Sequence, residues 1–396
     1  MLEYSLEDVC LKITDGAHFS PKGVKNGYPM LSVKDMREYG FSYENCKYIE
    51  QCDYDKLVKQ DCIPHKGDVL VAKDGSYLKH IFVCEEQKNE GVLSSIAIFR
   101  PNKEFISSEY LMYLLKSPSV FNDVKNNYVS GSALPRIVLK DFKKVKFRVH
   151  DRYIQNKIVD ILSRLDEKIK LNNMINNNLE QQAQALYRKM FIENANPEWS
   201  EGTISDLGIV VGGSTPSKAK PEYYTQHGIA WITPKDLSLN KSKFITRGEN
   251  DISELGLRNS SATIMPKGTV LFSSRAPIGY IAIAAGDVTT NQGFKSIVPK
   301  SEIGTAFIYY FLKNALPTIE RMASGSTFKE ISGSTMKSVP AFIPNNEALA
   351  KFNEFCTPIF EQQQLLESQN QHLSQMRDTL LPKLISGELD VSDIEL

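Results

Sequence analysis

A repeat constrains this sequence more than any other feature. Residues Arg152 to Phe191, RYIQNKIVDILSRLDEKIKLNNMINNNLEQQAQALYRKMF, run for 40 positions without proline or glycine. Apolar residues recur there at helical spacing. Ile158, Leu165, Leu179 and Leu186 fall seven or fourteen apart, with Ile154, Ile161, Leu162, Ile169 and Ile175 alongside. The pattern predicts a long helix with an apolar stripe, and a heptad seam if it is sustained. At 1.5 Å per residue such a helix spans roughly 60 Å, wider than a small domain, so the stripe needs a partner. That partner lies 194 residues on, where Phe352, Ile359, Leu373 and Leu380 repeat the row and Leu366 stands in the place of Asn172. The tails match too, LEQQAQALYRKMF from Leu179 over LSQMRDTLLPKLI from Leu373. One stripe alone reads most simply as core helix. Two copies half a chain apart predict an antiparallel coiled-coil pair. Asn172 on the seam is expected to fix register at some cost in stability. Pro358 is expected to break or kink the N-terminal part of the second run, with a helix start near Pro358 after a short preceding helix.

The duplication continues outside the helices. GYPMLSVKDM from Gly27 aligns with GIAWITPKDL from Gly228, and PHKGDVLVAKDG from Pro64 with MPKGTVLFSSRAP from Met265, both at an offset of 201. IAIFRP from Ile96 parallels KSIVP from Lys295, and EYLMYLLK ending at Lys116 parallels AFIYYFLK ending at Lys313. SGSALPRI from Ser130 parallels SGSTFKEI from Ser324, a glycine turn before the last strand and long helix. The expected fold is therefore α+β and internally duplicated, two mixed α/β modules separated by two long helices. The expected segments are 1–150, 151–194, 195–344 and 345–396. The stretch ENANPEWSEG, with Pro197 and Gly202, reads as a polar linker between the halves. Framework runs agree while loops differ: AKDGSYLKHIF stands against SSRAPIGYIAI, and DGAHFSP against GGSTPS. That contrast suggests two modules doing one kind of job on different targets.

Charge and motifs narrow the function. Lys plus Arg and Asp plus Glu balance at 47 each, so a polyanion would have to be held by local patches or jointly with a more basic partner. The N-terminus MLEYSLEDVCLK lacks the basic and apolar regions of a signal peptide, and no 18-residue apolar run is present, so a cytoplasmic location is expected. Cys10, Cys46, Cys52, Cys62, Cys84 and Cys356 form no C-x-x-C and are expected to be reduced, mostly buried thiols without a metal. GGSTPSK at Gly212 lacks the second glycine of a phosphate-binding loop, and no G-x-G-x-x-G, H-E-x-x-H or G-x-S-x-G occurs. NPEW at Asn196 departs from the Asn-Pro-Pro-Tyr of amino-methyltransferases by lacking the second proline and lying in the linker. What remains is a set of basic and amide residues in predicted loops. In the second module these are Lys218, Lys235, Arg275, Asn291, Gln292 and Lys295; in the first they are Lys22, Lys34, Lys73, Lys79, His80 and Arg136. Arg and Lys fork onto guanine edges, Asn and Gln onto adenine, and hydroxyls and backbone amides take phosphates. Tyr77, Phe82, Trp231, Phe272 and Tyr280 interleave with them. Taken one at a time, surface lysines read more simply as solubilising and the aromatics as core. Arg275 stands apart, because it lies between a predicted buried strand and the turn APIG.

The order of parts, with GGSTPS, WITPKDL, KGTVLFSSRAPIG, TTNQGFKSIVP and VDILSRLDEKIKLNNMINNNLEQQAQALYRKMF, resembles the specificity subunit (HsdS) of type I restriction–modification enzymes over essentially the whole chain. The resemblance implies two target recognition domains, each reading one half of a bipartite double-stranded DNA target in the major groove. It further implies a central helix pair that sets the spacer and docks two methyltransferase subunits (HsdM), with two motor-nuclease subunits (HsdR) joining for restriction. The chain itself would be non-catalytic, with S-adenosylmethionine, ATP and Mg on the partners and no membrane contact. Two alternatives belong to other classes. A fused restriction–methylation enzyme would need a methyltransferase cofactor motif. A non-catalytic coiled-coil scaffold, or a degenerate specificity subunit without active partners, would show no sequence-dependent DNA binding.

Overall fold

The computed structural model describes residues 1–131, 135–325, 329–392 and 394. The tips of both glycine turns, 132–134 and 326–328, lie outside the described residues, so the parallel drawn between SGSALPRI and SGSTFKEI can be followed only at its flanks. Packing divides the chain into two units, Met1–Lys170 with His372–Leu396, and Leu171–Gln371. The segments 1–150, 151–194, 195–344 and 345–396 give the order of elements along the chain. Packing groups those elements differently, assigning part of each long helix to each globule.

In the first unit the strand Leu2–Ser5 pairs antiparallel with Lys146–Val149, the strand that precedes the first long helix. A capping box between Ser5 and Asp8 then starts one helical turn. Four antiparallel strands follow in the spatial order Cys10–Asp15, Ile96–Pro101, Val69–Ala72, Ile81–Val83. Val69, Leu70, Val71 and Ala72 are all fully buried, which is why the run DVLVA shows no alternation. A smaller sheet places Tyr28–Leu31 antiparallel to Lys47–Ile49 and parallel to Gly91–Val92. The helix Ser108–Lys116 closes the core with Tyr110, Leu111 and Leu114.

The second unit has the same plan. Ser200–Thr203 pairs with Pro340–Ile343, again just before a long helix, and Thr203 with Asp206 repeats the capping box. The main sheet runs Gly208–Gly212, Lys295–Pro299, Val270–Ser274, Ile278–Ala284, and then Phe244–Ile245 in parallel. Ile229–Ile232 lies antiparallel to Asn250–Ile252 and parallel to Thr289–Thr290. The helix Thr305–Met322 buries Phe307, Ile308 and Leu312.

The long helices are Arg152–Arg188, which ends in a π turn at Lys189–Glu193, and Asn346–Ser386. Side chains cap both starts: Asp151 accepts from the Ile154 amide at 3.1 Å, and Asn345 from the Ala348 amide at 2.9 Å. Gly387, at φ 76°, follows the second helix. In the first unit Ile158 and Leu162 share a core with Leu381, Leu384 and Ile385; in the second, Ala183 and Tyr187 share one with Phe352, Cys356 and Ile359. Early residues of one helix meet late residues of the other, so the packing is antiparallel within each unit.

Two expectations about these helices need correction. Ile158 and Asn172 of the expected seam are buried, but its Leu165, Leu179 and Leu186 are only half-buried, and Gln155, Leu162, Ile169 and Ala183 of a second row are buried. On the second, Leu349, Cys356, Gln363 and Leu384 line the seam beside Phe352, Ile359 and Leu366, with Leu373 and Leu380 half-buried. The second helix also runs without interruption through Pro358. Proline removes one hydrogen bond and costs about 3 kcal/mol. Phe352, Cys356, Ile359 and Phe360 are buried on either side of it, and burial of such side chains at roughly 1.5–3 kcal/mol each outweighs that cost. The cysteines are all free, but only Cys84 and Cys356 are buried; Cys10, Cys46 and Cys62 are half-buried and Cys52 is exposed. Among the described residues no helix is long and apolar enough to cross a membrane.

Candidate nucleic-acid interface

In the second unit the main-sheet strands deliver several loops to one end. Gly212 lies opposite Lys295, and the Ser274 amide donates to the Gly293 carbonyl at 2.8 Å. The loop after Gly212 is tied in by the Ser214 amide on the Thr290 carbonyl at 2.9 Å. The turn at Thr233–Lys235 joins through the Asn291 amide on the Ile232 carbonyl at 3.0 Å, and Glu330 through the Ile331 amide on the Ser274 carbonyl at 3.0 Å. Of the residues dispersed over 78 positions of sequence, Lys218, Asn291 and Gln292 lie on these loops, Arg275 directly follows the strand Val270–Ser274, Lys235 lies in the short helix Pro234–Leu239, and Lys295 begins its strand.

The local contacts sort their roles. The Thr215 hydroxyl donates to the Gln292 side chain, and Lys295 Nζ to the Gln292 carbonyl at 3.4 Å. Lys218 is exposed; Lys235, also exposed, pairs with Glu249 at 2.6 Å. Asn291 Oδ1 accepts from the Gly293 amide at 2.9 Å and shapes its own turn. Arg275 lies 3.4 Å from Glu330. Burial lowers the Lys295 pKa, with Glu330 opposing that shift and Arg275 adding to it. Trp231 and Phe272 belong to the floor: the Trp231 indole donates to the Ser214 carbonyl at 3.0 Å and Phe272 is fully buried. Tyr280 is half-buried under the Lys241 ammonium, 4.3 Å from its ring centre. A Cβ on Gly213 would lie 1.9 Å from the Asn291 carbonyl oxygen, so that glycine permits close approach of two loops.

The first unit has the same scaffold with different side chains. The Lys73 amide donates to the Ser95 carbonyl at 3.0 Å, the Ile137 amide to the Lys73 carbonyl at 3.0 Å, and the Leu93 amide to the Leu31 carbonyl at 2.8 Å. Lys22 and Lys34 are exposed on the loops after Asp15 and Leu31, Lys79 and His80 form the turn into Ile81, and Arg136 is exposed on the glycine turn. Burial, and then Lys79 and Arg37, lower the His80 pKa, so its imidazole is neutral at pH 7. Lys73 does not reach the surface. Its side chain is 10% exposed and pairs with Asp15 at 3.0 Å, which makes it part of the floor. Phe82 is buried and Tyr77 stacks on Phe121. Asp15 and Asp74 carry no positive charge to mark them in the sequence, although the 201 offset places Asp74 over Arg275.

Each unit also fastens its module to the long helices with a buried charge. In the first, Arg377 reaches Asp166 at 2.8 Å and Glu38 at 2.9 Å, and the Tyr113 hydroxyl donates to Asp166 at 2.8 Å. In the second, Lys243 Nζ lies 2.8 Å from Glu180, 2.9 Å from Gln363 Oε1 and 3.5 Å from the Phe360 ring centre. Lys313 and the Tyr310 hydroxyl also donate to Glu180, and Glu367 accepts from the amides of Lys243 and Phe244. Burial alone would raise the Glu180 pKa, but Lys243 and Lys313 hold it down to about 2. Burial lowers Lys243 to about 8, so both groups are charged near neutrality.

Comparison with known proteins puts this architecture in context. A family described as the type I restriction modification DNA specificity domain matches twice, over residues 2–181 and 196–375. The MjaIX specificity subunit of Methanocaldococcus jannaschii is 44% identical over 156 residues, covering 39% of this chain and 36% of that one. The HindI specificity subunit of Haemophilus influenzae is 26% identical over 98% of this chain and 99% of its own. The crystal structure of the S subunit of a type I restriction–modification system from M. genitalium shares the fold, with a TM-score of 0.60 at 16% identity, over 99% of this chain and 96% of that one.

Proposed function

The chain belongs to the type I restriction modification DNA specificity family, and from that premise we propose that it is the sequence-reading subunit of such a complex, each module reading one half of a bipartite DNA target. The observation that supports this reading is the loop end of the second unit, where Arg275, Asn291, Gln292 and Lys295 stand on adjoining, backbone-linked segments. The first unit repeats that platform with other side chains. Such donors suit base edges and phosphates, and an unchanged framework with exchanged loops suits two different half-sites. In this reading the long helices set the distance between half-sites and dock two methyltransferase subunits. Leu171, Met174 and Ile175 are 54%, 62% and 45% exposed at i, i+3, i+4 spacing, and Leu365 on the other helix is 52% exposed. A stripe of that kind suits a helical partner. Two motor-nuclease subunits would complete the restriction form. S-adenosylmethionine, ATP and Mg would reside on the partner subunits, and the complex would work in the cytoplasm.

The test is a module exchange. Residues 1–150 are replaced by the corresponding module of a subunit with another target, and adenine methylation is mapped across the genome of cells carrying the chimaera and its partners. One half of the methylated motif should change and the other should persist. A change in both halves, or in neither while methylation continues, would overturn the two-reader assignment.

A further inference from the structure

Positions 74 and 275 correspond at the offset of 201 that aligns the two Lys-Gly strands, and 136 and 330 correspond at the offset of 194 that aligns the glycine turns. The fold joins each pair in the same way. Asp74 forms an isolated antiparallel bridge with Arg136, and Arg275 forms one with Glu330. Ser130 bridges back to Arg136 as Ser324 does to Glu330. The residue after Asp74 or Arg275 is left-handed in both, Gly75 at φ 68° and Ala276 at φ 54°. On this common backbone the charges are exchanged. The first unit has an acid just past the strand and a base on the turn; the second has a base just past the strand and an acid on the turn.

One pair is formed but exposed, and the other has no ion pair between its side chains. Arg275 and Glu330 are 3.4 Å apart with side chains 37% and 40% exposed, a contact that solvent screens and a ligand could displace. Asp74 is 26% exposed, and its Oδ1 is buried with no hydrogen-bond partner, 4.0 Å from the Lys73 ammonium. An acceptor left that way costs free energy until a donor completes it. Arg136 is exposed and, among the described residues, takes part in no salt bridge.

We propose that this pair is a base-reading element used twice with opposite polarity: Arg275 forks onto guanine, and Asp74 accepts from the amino group of cytosine. The assignment rests on the DNA-reading function above. Guanine offers two major-groove acceptors that match a guanidinium. A carboxylate only accepts; cytosine presents a donor there, whereas guanine presents acceptors only and the N7 of adenine would face the carboxylate beside its amino donor. Both half-sites therefore contain a G·C pair at this position, read through guanine by one module and through cytosine by the other. In the DNA-free chain Glu330 holds Arg275, while Asp74 and Arg136 are joined by the backbone bridge alone.

The experiment selects duplexes from a randomised DNA library with the full chain assembled with its methyltransferase subunits. Wild type should yield a bipartite consensus. Arg275→Ala should lower the preference at one position of one half-site about tenfold, a loss in the range of one lost bidentate contact. The exchange Arg275→Asp with Glu330→Arg, which copies the first unit, should turn guanine into cytosine at that position. The half-site read by the first module serves as the internal control for assembly, and the remaining positions of the second half-site as the control for folding of the exchanged module. Should the exchanged second module fail to fold, Asp74→Arg with Arg136→Glu carries the same test in the opposite direction. An unchanged consensus in a folded exchange variant overturns the inference and leaves the reading function standing. A wild-type assembly that selects no consensus overturns that function itself.

Discussion

Lys73 and Ser274 occupy the same place in the two units, each donating its amide to the turn before the neighbouring strand, and the comparison shows how side-chain chemistry redirects one scaffold. In the first unit the position is filled by a buried ion pair with Asp15, itself only 6% exposed. In the second, Ser274 is fully buried and its hydroxyl is unpartnered among the described residues. Removing one partner of a buried pair strands the other charge and typically costs about 3–5 kcal/mol. His18, 2.9 Å from Asp15, softens that loss. Lys73→Met should therefore destabilise the first unit by roughly 3 kcal/mol in urea unfolding while the selected DNA motif stays the same. Unaltered stability together with a changed motif would return Lys73 to the reading surface. The sequence could not separate Lys73 from Lys79, since both look like loop lysines; only the pairing across the sheet with Asp15 tells them apart.

At the scale of elements, the helices were legible because a seven-residue period over 40 positions has one structural solution, and the duplicated strands because their Lys-Gly turns repeat. Part of the buried helical face was hidden by its glutamines. Gln155 donates to the carbonyls of Phe105 and His150 at 2.8 and 3.0 Å, and Gln363 to the Asn176 carbonyl at 3.2 Å. These are buried polar clasps with their bonds made, and a search for apolar residues skips them. Asn172 is fully buried and donates to Asn370 at 2.9 Å, with its own oxygen unpartnered among the described residues. The charged clasp at Glu180 was equally invisible, because its cation Lys243 lies 63 positions away. It has a pH signature. Glu180 is held below the ordinary 4.5 of a glutamate, to about 2, so its contribution is complete above pH 4.5 and disappears as pH falls towards 2. With the side chain 21% exposed, the contribution is on the order of 3 kcal/mol. Acid unfolding of wild type and Glu180→Gln should show a stability gap that closes over that window. A gap that stays constant with pH would mean the carboxylate's charge is not what fastens the module.

For the whole molecule, the duplication read from sequence has a consequence that a linear list of segments conceals. The first unit is assembled from the two ends of the chain, because residues from His372 onward belong to it. Leu381, Leu384, Ile385 and Val391 are each at most 6% exposed and share its core with Leu6, Val69 and Phe99. Four such side chains contribute roughly 6–12 kcal/mol by burial, comparable with the whole stability of a typical domain. Arg377, which holds Asp166 and Glu38, would be lost with them. Truncation after Gln371 should therefore unfold the module formed by residues 1–150, although the cut lies far away in sequence. The second unit, Leu171–Gln371, keeps its own core and should remain folded. Hydrogen exchange separates the outcomes: in the truncated chain the amides of Val69–Ala72 should lose protection while those of Val270–Ser274 keep it. Equal protection in both strands would show that the first module is stable without the end of the second helix. Loss in both would show that the two units unfold as one.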